Sequence, residues 1–150
     1  GPFQDRVGGH TWRLRGEGGA EYAASCARCH VGLTTFDRNV GRDFDGSGAA
    51  QGVQTEFRGL VEILAEAAFA ADVNGSLTRP GGPGTPIEVA ADLALSTPLI
   101  RRAVYNYNFA LKDGSFGVHN TLYAVQILQK TREQLTGLPF QQEFPLAYVP

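Results

Sequence analysis

The chain has no methionine, and among its 150 residues it holds only two cysteines and one tryptophan. Each shortage removes something. Without methionine, these residues offer no thioether to a metal, so a His/Met pair of the kind that holds iron in high-potential cytochromes is excluded within them. With both cysteines close together, at Cys26 and Cys29, no thiol is left to staple distant parts of the chain. No run of about 18 uncharged apolar residues occurs, so no helix reads as a membrane span. The most apolar stretch, 60–73, is interrupted by Glu62, Glu66 and Asp72. An excess of one charge is missing too: 13 Lys and Arg stand against 15 Asp and Glu, a net charge of −2, which leaves no basic footprint for nucleic acid.

What the chain does have in quantity is glycine, 19 residues, with 8 prolines. Long loops between short elements are therefore expected, in a chain whose length suits one domain with a real core. Cys26-Ala27-Arg28-Cys29-His30 is the stretch around which the rest is organised. Two cysteines with a histidine directly after the second is the spacing that attaches a c-type haem. On one turn of helix, positions i, i+3 and i+4 share a face, so both thiols can bond the porphyrin edge while the imidazole reaches the iron. A short helix over 20–31 ending in this motif is expected. Two other chemistries use the same residues. A redox dithiol would make His30 incidental and would open a helix after a strand. A structural zinc would take both thiolates and two of His10, His30 and His119, although these lack the compact spacing of a zinc finger's histidine pair.

The remaining elements follow from periodicity and punctuation. Residues 1–18 hold no persistent period and read as an extended arm carrying His10. From 51 to 71, Val53, Phe57, Leu60, Val61, Leu64 and Ala68 recur at steps of three and four, which predicts a long helix with one apolar face. The connector 79–86, with three prolines and three glycines, separates two halves of one fold. Thr97-Pro98 signals a helix start that runs to Asp113-Gly114. A further helix is expected from about Val118 to Leu135, with His119 in its first turn and a stripe of Leu122, Val125, Leu128 and Leu135. Residues 137–150 alternate apolar and polar residues between prolines and read as an extended tail, either folded back on the body or laid against a neighbour.

Two sets of candidate ligands lie outside the cysteine motif. Asp43, Asp45 and Ser47 place oxygen side chains at alternate positions, as the first half of a calcium loop does. The second half fails, because Gln54 stands where a bidentate glutamate is needed and Glu56 comes two residues late. A solvated Asx turn competes with calcium there. For a haem held by His30, only His10 and His119 remain as imidazole donors, with Lys112 and Lys130 as poorer ones. His119 is the better choice within one chain, since its helix turns an apolar stripe to the core. Phe36, Phe109, Phe116, Tyr105, Tyr107 and Tyr123 are candidates to line the pocket.

Residues 103–109, then Lys112-Asp113-Gly114-Ser115-Phe116-Gly117-Val118-His119-Asn120, then 123–128, resemble the C-terminal segment of bacterial multihaem c-type cytochromes. Asp43-Phe44-Asp45-Gly46 with Gly52-Val53-Gln54-Thr55-Glu56 is similar to the stretch before it. The resemblance covers roughly residues 26–130 and is most specific over 113–128. It implies that His119 is a distal haem ligand. Unlike that family, the chain has a single haem motif, so conduction within one chain is not available and stacking of copies would be needed.

The expectation is a mostly α, small helical c-type cytochrome domain over 19–136, flanked by the arm and the tail. One covalent haem is held by Cys26 and Cys29, with His30 and His119 as axial ligands, and electrons pass to redox partner proteins or along an assembly of copies. His10 is the alternative ligand, or the ligand to a neighbouring copy's haem. Such a protein is exported to the periplasm or beyond. No leader-like stretch opens the chain, so the mature form is expected. An open iron site, with enzyme or gas-sensor chemistry, is the other functional class.

Overall fold

The computed structural model describes residues 16, 19–27 and 29–150. His10 and nearly all of the expected N-terminal arm lie outside the described residues, as does Arg28 within the cysteine motif.

The fold is mostly helical and is built on α1, Val53–Ala71. The apolar face read from the sequence is the buried one: Phe57, Leu60, Val61, Leu64 and Ala68 are each at most 1% exposed. At roughly 1.5–3 kcal/mol for burying a large apolar side chain, this face is the main source of tertiary stability. The helix starts at Val53 rather than Gln51, because its first N–H groups are taken by a residue far upstream. Asp37 Oδ1 accepts from the N–H groups of Gln54 at 2.8 Å and Thr55 at 2.9 Å, and Asp37 Oδ2 accepts from the Thr55 hydroxyl at 2.6 Å. At the other end Asp72 stops the helix and turns the chain, accepting from the Ser76 hydroxyl and the Leu77 N–H, both at 2.7 Å.

Two further helices pack on α1 and on each other. Helix α2, Pro98–Asp113, is capped as its sequence indicates, with the Thr97 hydroxyl oxygen accepting from the Ile100 N–H and Gly114 ending it at φ +71°. Helix α3 is Thr121–Thr136, ended by Gly137 at φ +74°. It begins three residues later than the periodicity suggests, so His119 precedes the helix instead of sitting in its first turn. The cause is local: Gly117 adopts φ +82° directly over the Phe57 ring, where a Cβ would lie 2.9 Å from Cδ2, and the chain cannot be helical there. Of the expected stripe, Val125 and Leu128 are buried, whereas Leu122 is 45% exposed.

The proline- and glycine-rich connector is the loop of a small hairpin that the sequence reading missed. Strands β1, Leu77–Thr78, and β2, Glu88–Val89, pair antiparallel, Leu77 opposite Val89. Two-residue strands carry too little alternation to be seen. Side chains from α2 hold the loop: the Tyr107 hydroxyl donates to the Thr85 carbonyl at 2.8 Å, and Asn108 Nδ2 donates to the Ile87 carbonyl at 2.7 Å.

Two other expectations need correction. The helix over 20–31 is reduced to one 3-10 turn, Ala23–Ser25, followed by turns. Gly19 and Gly32 bracket the stretch at φ +81° and +82°, and about twelve residues with little apolar face do not hold a helix alone. The tail is not extended throughout. After Pro139 it forms the short helix α4, Phe140–Glu143, and folds back on the body. Phe140 and Ala147 are buried, and the Tyr148 N–H donates to the Asp43 carbonyl. Among the described residues no helix is long and apolar enough to cross a membrane.

Candidate functional site

Three separate parts of the chain meet beside the first turn of α1. The first is the cysteine motif. Although the helix around it is absent, one turn survives: the N–H groups of Cys29 and His30 both donate to the Cys26 carbonyl, at 3.1 and 2.9 Å. Cys26 is half-buried, while Cys29, His30 and Val31 are exposed. The two thiols are free and not joined to each other. Among the described residues the motif follows a 3-10 turn rather than opening a helix after a strand, which is not the setting of a redox dithiol.

The second part is the segment 33–40, fixed from both sides. The Phe36 N–H donates to Glu21 at 2.9 Å, and Asp37 is the distant cap of α1. The Arg38 carbonyl accepts from the Val53 N–H at 3.0 Å, so the backbone of this wall is tied to the helix start on successive residues. Burial alone raises the Asp37 carboxyl. The Thr55 hydroxyl, the Thr55 and Gln54 N–H groups and the charge of Arg58 outweigh burial and hold it below its usual value.

The third part is the loop 114–120. Gln54, fully buried, donates from Nε2 to the Ser115 carbonyl at 3.1 Å. Asp113 accepts from both the N–H and the hydroxyl of Ser115. Phe116 takes φ +52°, unusual for a residue with a side chain, and lies under the Arg58 guanidinium, 4.4 Å from its centroid. These contacts deliver Val118 and His119 to the same side of α1 as the cysteine motif.

A cavity of about 350 Å³ lies between the three parts. Cys26, His30 and His119 all line it, with Leu33, Phe36, Val40, Val53 and Val118 as apolar wall and Arg38 and Thr121 as the remaining polar groups. The volume lies within the range of small-molecule sites, and the composition, apolar with a few convergent polar groups, is theirs as well. A smaller recess of about 220 Å³ runs on past His30, Val31, Gly32, Leu33 and Arg38. On the far side of His119 a narrow cavity of about 110 Å³ is bordered by Phe57, Phe109, Tyr123 and Ile127. Of the aromatic residues considered as lining, only Phe36 reaches the main cavity. Tyr107 is core, and Tyr105, Phe109 and Tyr123 are exposed.

The acidic loop is a separate cluster. Asp43, Asp45 and Glu56 each bring a carboxylate oxygen within 4.8 Å of the others. The Ser47 hydroxyl donates to the Ala49 carbonyl, and Glu56, two residues late by calcium-loop spacing, joins Asp43 and Asp45 because the helix turns it inward. The carboxylates serve the loop backbone. Asp43 accepts from the N–H groups of Gly46, Ser47 and Gly48, and Glu56 from those of Phe44, Asp45 and Gln51. Burial raises the Glu56 carboxyl above its ordinary value, over the pull of these N–H donors, and the Asp45 charge adds to the rise. Hydrogen bonds of this kind account for the loop without a cation, and the calcium expectation extends no further than the cluster.

Comparison with protein-family models, curated proteins and solved structures finds no match to the chain. The chemistry of the site therefore rests on its own residues.

Proposed function

We propose that the protein is an electron carrier with one covalently attached c-type haem in the cavity between the cysteine motif and the 114–120 loop. The observation that carries this reading is that His119, 89 residues away in sequence from His30, lines the same cavity as His30 and Cys26. Residues of this set fit the group: free thiols for the porphyrin edge, two imidazoles for the iron, and apolar walls for the ring. The resemblance of Gly117-Val118-His119-Asn120 to the distal-ligand segment of multihaem cytochromes points the same way.

Cys26 and Cys29 would hold the group through thioether bonds to its vinyl edge, an addition of S–H that needs no oxidant. When bound, the haem supplies a one-electron couple whose potential is set by its axial ligands and surroundings. His30 and His119 would hold the iron as two imidazole ligands, each neutral and keeping its proton on the other ring nitrogen. Leu33, Phe36, Val40, Val53 and Val118 keep water from the ring. The exposure of Cys29, His30 and Val31 leaves one edge of the site at the surface, as exchange with partner proteins or further copies requires. Covalent attachment implies an exported, periplasmic or extracellular protein.

The test is haem staining of the denatured chain, combined with low-temperature EPR and optical spectra of the native protein. Stain that stays with the chain, a low-spin ferric signal and no carbon monoxide binding on reduction are expected. A chain that carries zinc and no stain overturns the haem. A stained chain with a high-spin signal that shifts with carbon monoxide replaces the carrier by an open-site enzyme or sensor.

A further inference from the structure

Among the residues lining the main cavity, Arg38 carries the only permanent charge, and no carboxylate lines that cavity. Arg38 also borders the adjoining recess beside His30, so it stands where the two spaces share a wall. Its backbone is fixed, with the carbonyl accepting from Val53 N–H and the next residue, Asn39, bridged to Gly52. The side chain is exposed, and among the described residues no carboxylate pairs with it. Among the described residues Arg79 pairs with Glu62, Arg132 with Glu143, Arg42 lies over the Tyr148 ring and Arg58 over Phe116; Arg102, exposed on α2, pairs with no carboxylate either but lies outside this cavity. An unpaired guanidinium at the rim of an apolar cavity suits a ligand that is apolar in body and anionic at its edge, because the planar fork pairs carboxylates with two parallel bonds. Thr121, the first residue of α3, lines the same cavity, and Asn120 gives that helix no side-chain cap, which adds a second source of positive potential.

We propose that Arg38 is the anion-binding residue of the cavity and pairs with a propionate of the bound haem, an inference that rests on the haem reading above. The pair fixes the orientation of the ring in the cavity. It also places a positive charge near the iron, which favours the reduced state.

The experiment is a potentiometric titration at pH 7 of the haem-loaded protein and of Arg38→Gln, Arg38→Lys and Arg42→Gln. Arg42→Gln removes the same charge from a site outside the cavity. Arg38→Gln keeps the stain and the low-spin spectrum, but its reduced-to-oxidised ratio at a fixed poise falls five- to tenfold. At 59 mV per tenfold for one electron, that is a midpoint lower by about 40–60 mV. Arg38→Lys recovers most of the shift, and Arg42→Gln moves the midpoint by less than half as much. A stained Arg38→Gln with an unmoved midpoint, or with a shift no larger than that of Arg42→Gln, overturns the role of Arg38 and leaves the haem reading standing. A wild-type chain without stain overturns both.

Discussion

The Gln54 side-chain amide and the Ser115 carbonyl, 61 residues apart, meet in a buried hydrogen bond of 3.1 Å. Through this contact the first turn of α1 holds the loop that presents His119. The same turn, through Asp37 and the Arg38 carbonyl, holds the opposite wall. The two sides of the cavity are thus positioned by three consecutive residues, Val53, Gln54 and Thr55. Replacing Gln54 by Leu leaves the Ser115 carbonyl without this donor. The expected cost is about 1–3 kcal/mol, read as a lower midpoint in urea unfolding with an unchanged slope. A loss under a few tenths of a kcal/mol would mean that the loop is held by other contacts.

Asp37 makes the stability of the site wall pH-dependent. Its carboxyl is held below the usual value of 3.8 in the folded chain. A depressed acid contributes stability that is fully present above its unfolded value and is lost as pH falls through its folded one. Asp37→Asn, which keeps one acceptor oxygen but not the charge, is expected to be less stable than wild type at pH 7 by about 1–2 kcal/mol, the ordinary value of a helix cap. The gap between the two proteins should close below pH 3.8. Parallel urea titrations from pH 7 down to pH 3 measure it. A gap that stays constant across the range would show that the oxygen matters and the charge does not.

The tail is part of the fold, by the same kind of accounting. Phe140 is fully buried, its ring stacked on Phe144 with centroids 4.7 Å apart, and Arg132 reaches Glu143 across it. Phe140→Ala is expected to cost about 3–5 kcal/mol, the range for an aromatic removed from a core. Thermal unfolding followed by circular dichroism checks this. A change of under 1 kcal/mol would mean that the last residues ride on the surface without supporting it.

How far the sequence could be read depended on whether its signals were local. The apolar face of α1 was legible because one buried stripe repeats over several turns, as were the Thr97 cap and the stop at Gly114. That Cys26 and His30 line one cavity was legible because a spacing of four residues puts both on one side of a single turn. What escaped were features set by contacts from elsewhere in the chain. Asp37 capping a helix that starts sixteen residues later has no local pattern, and neither has Glu56 joining Asp43 and Asp45. The 20–31 helix was overread from small residues that permit a helix without requiring one. The short hairpin, held by Tyr107 and Asn108 of α2, and the turn of helix after Pro139 owe their form to the surface they pack against.

His119 is where the proposed function is most exposed to test. It stands outside α3, on a loop held by Gly117 over Phe57, so replacing it removes the proposed ligand without breaking a helix. His119→Ala is expected to keep its haem on the chain, because Cys26 and Cys29 are untouched, and to lose one strong ligand. The ferric signal should turn from low-spin to high-spin, and the reduced protein should bind carbon monoxide that the parent excludes. Gly117→Ala tests the same point from behind. Its Cβ would meet the Phe57 ring at 2.9 Å, and φ +82° disfavours any side chain, so the loop must shift. A mixture of the two spin states is expected, with stability lower by about 1–2 kcal/mol. If His119→Ala keeps the parent's low-spin signal, the second ligand is another residue, and His10 is the next to replace.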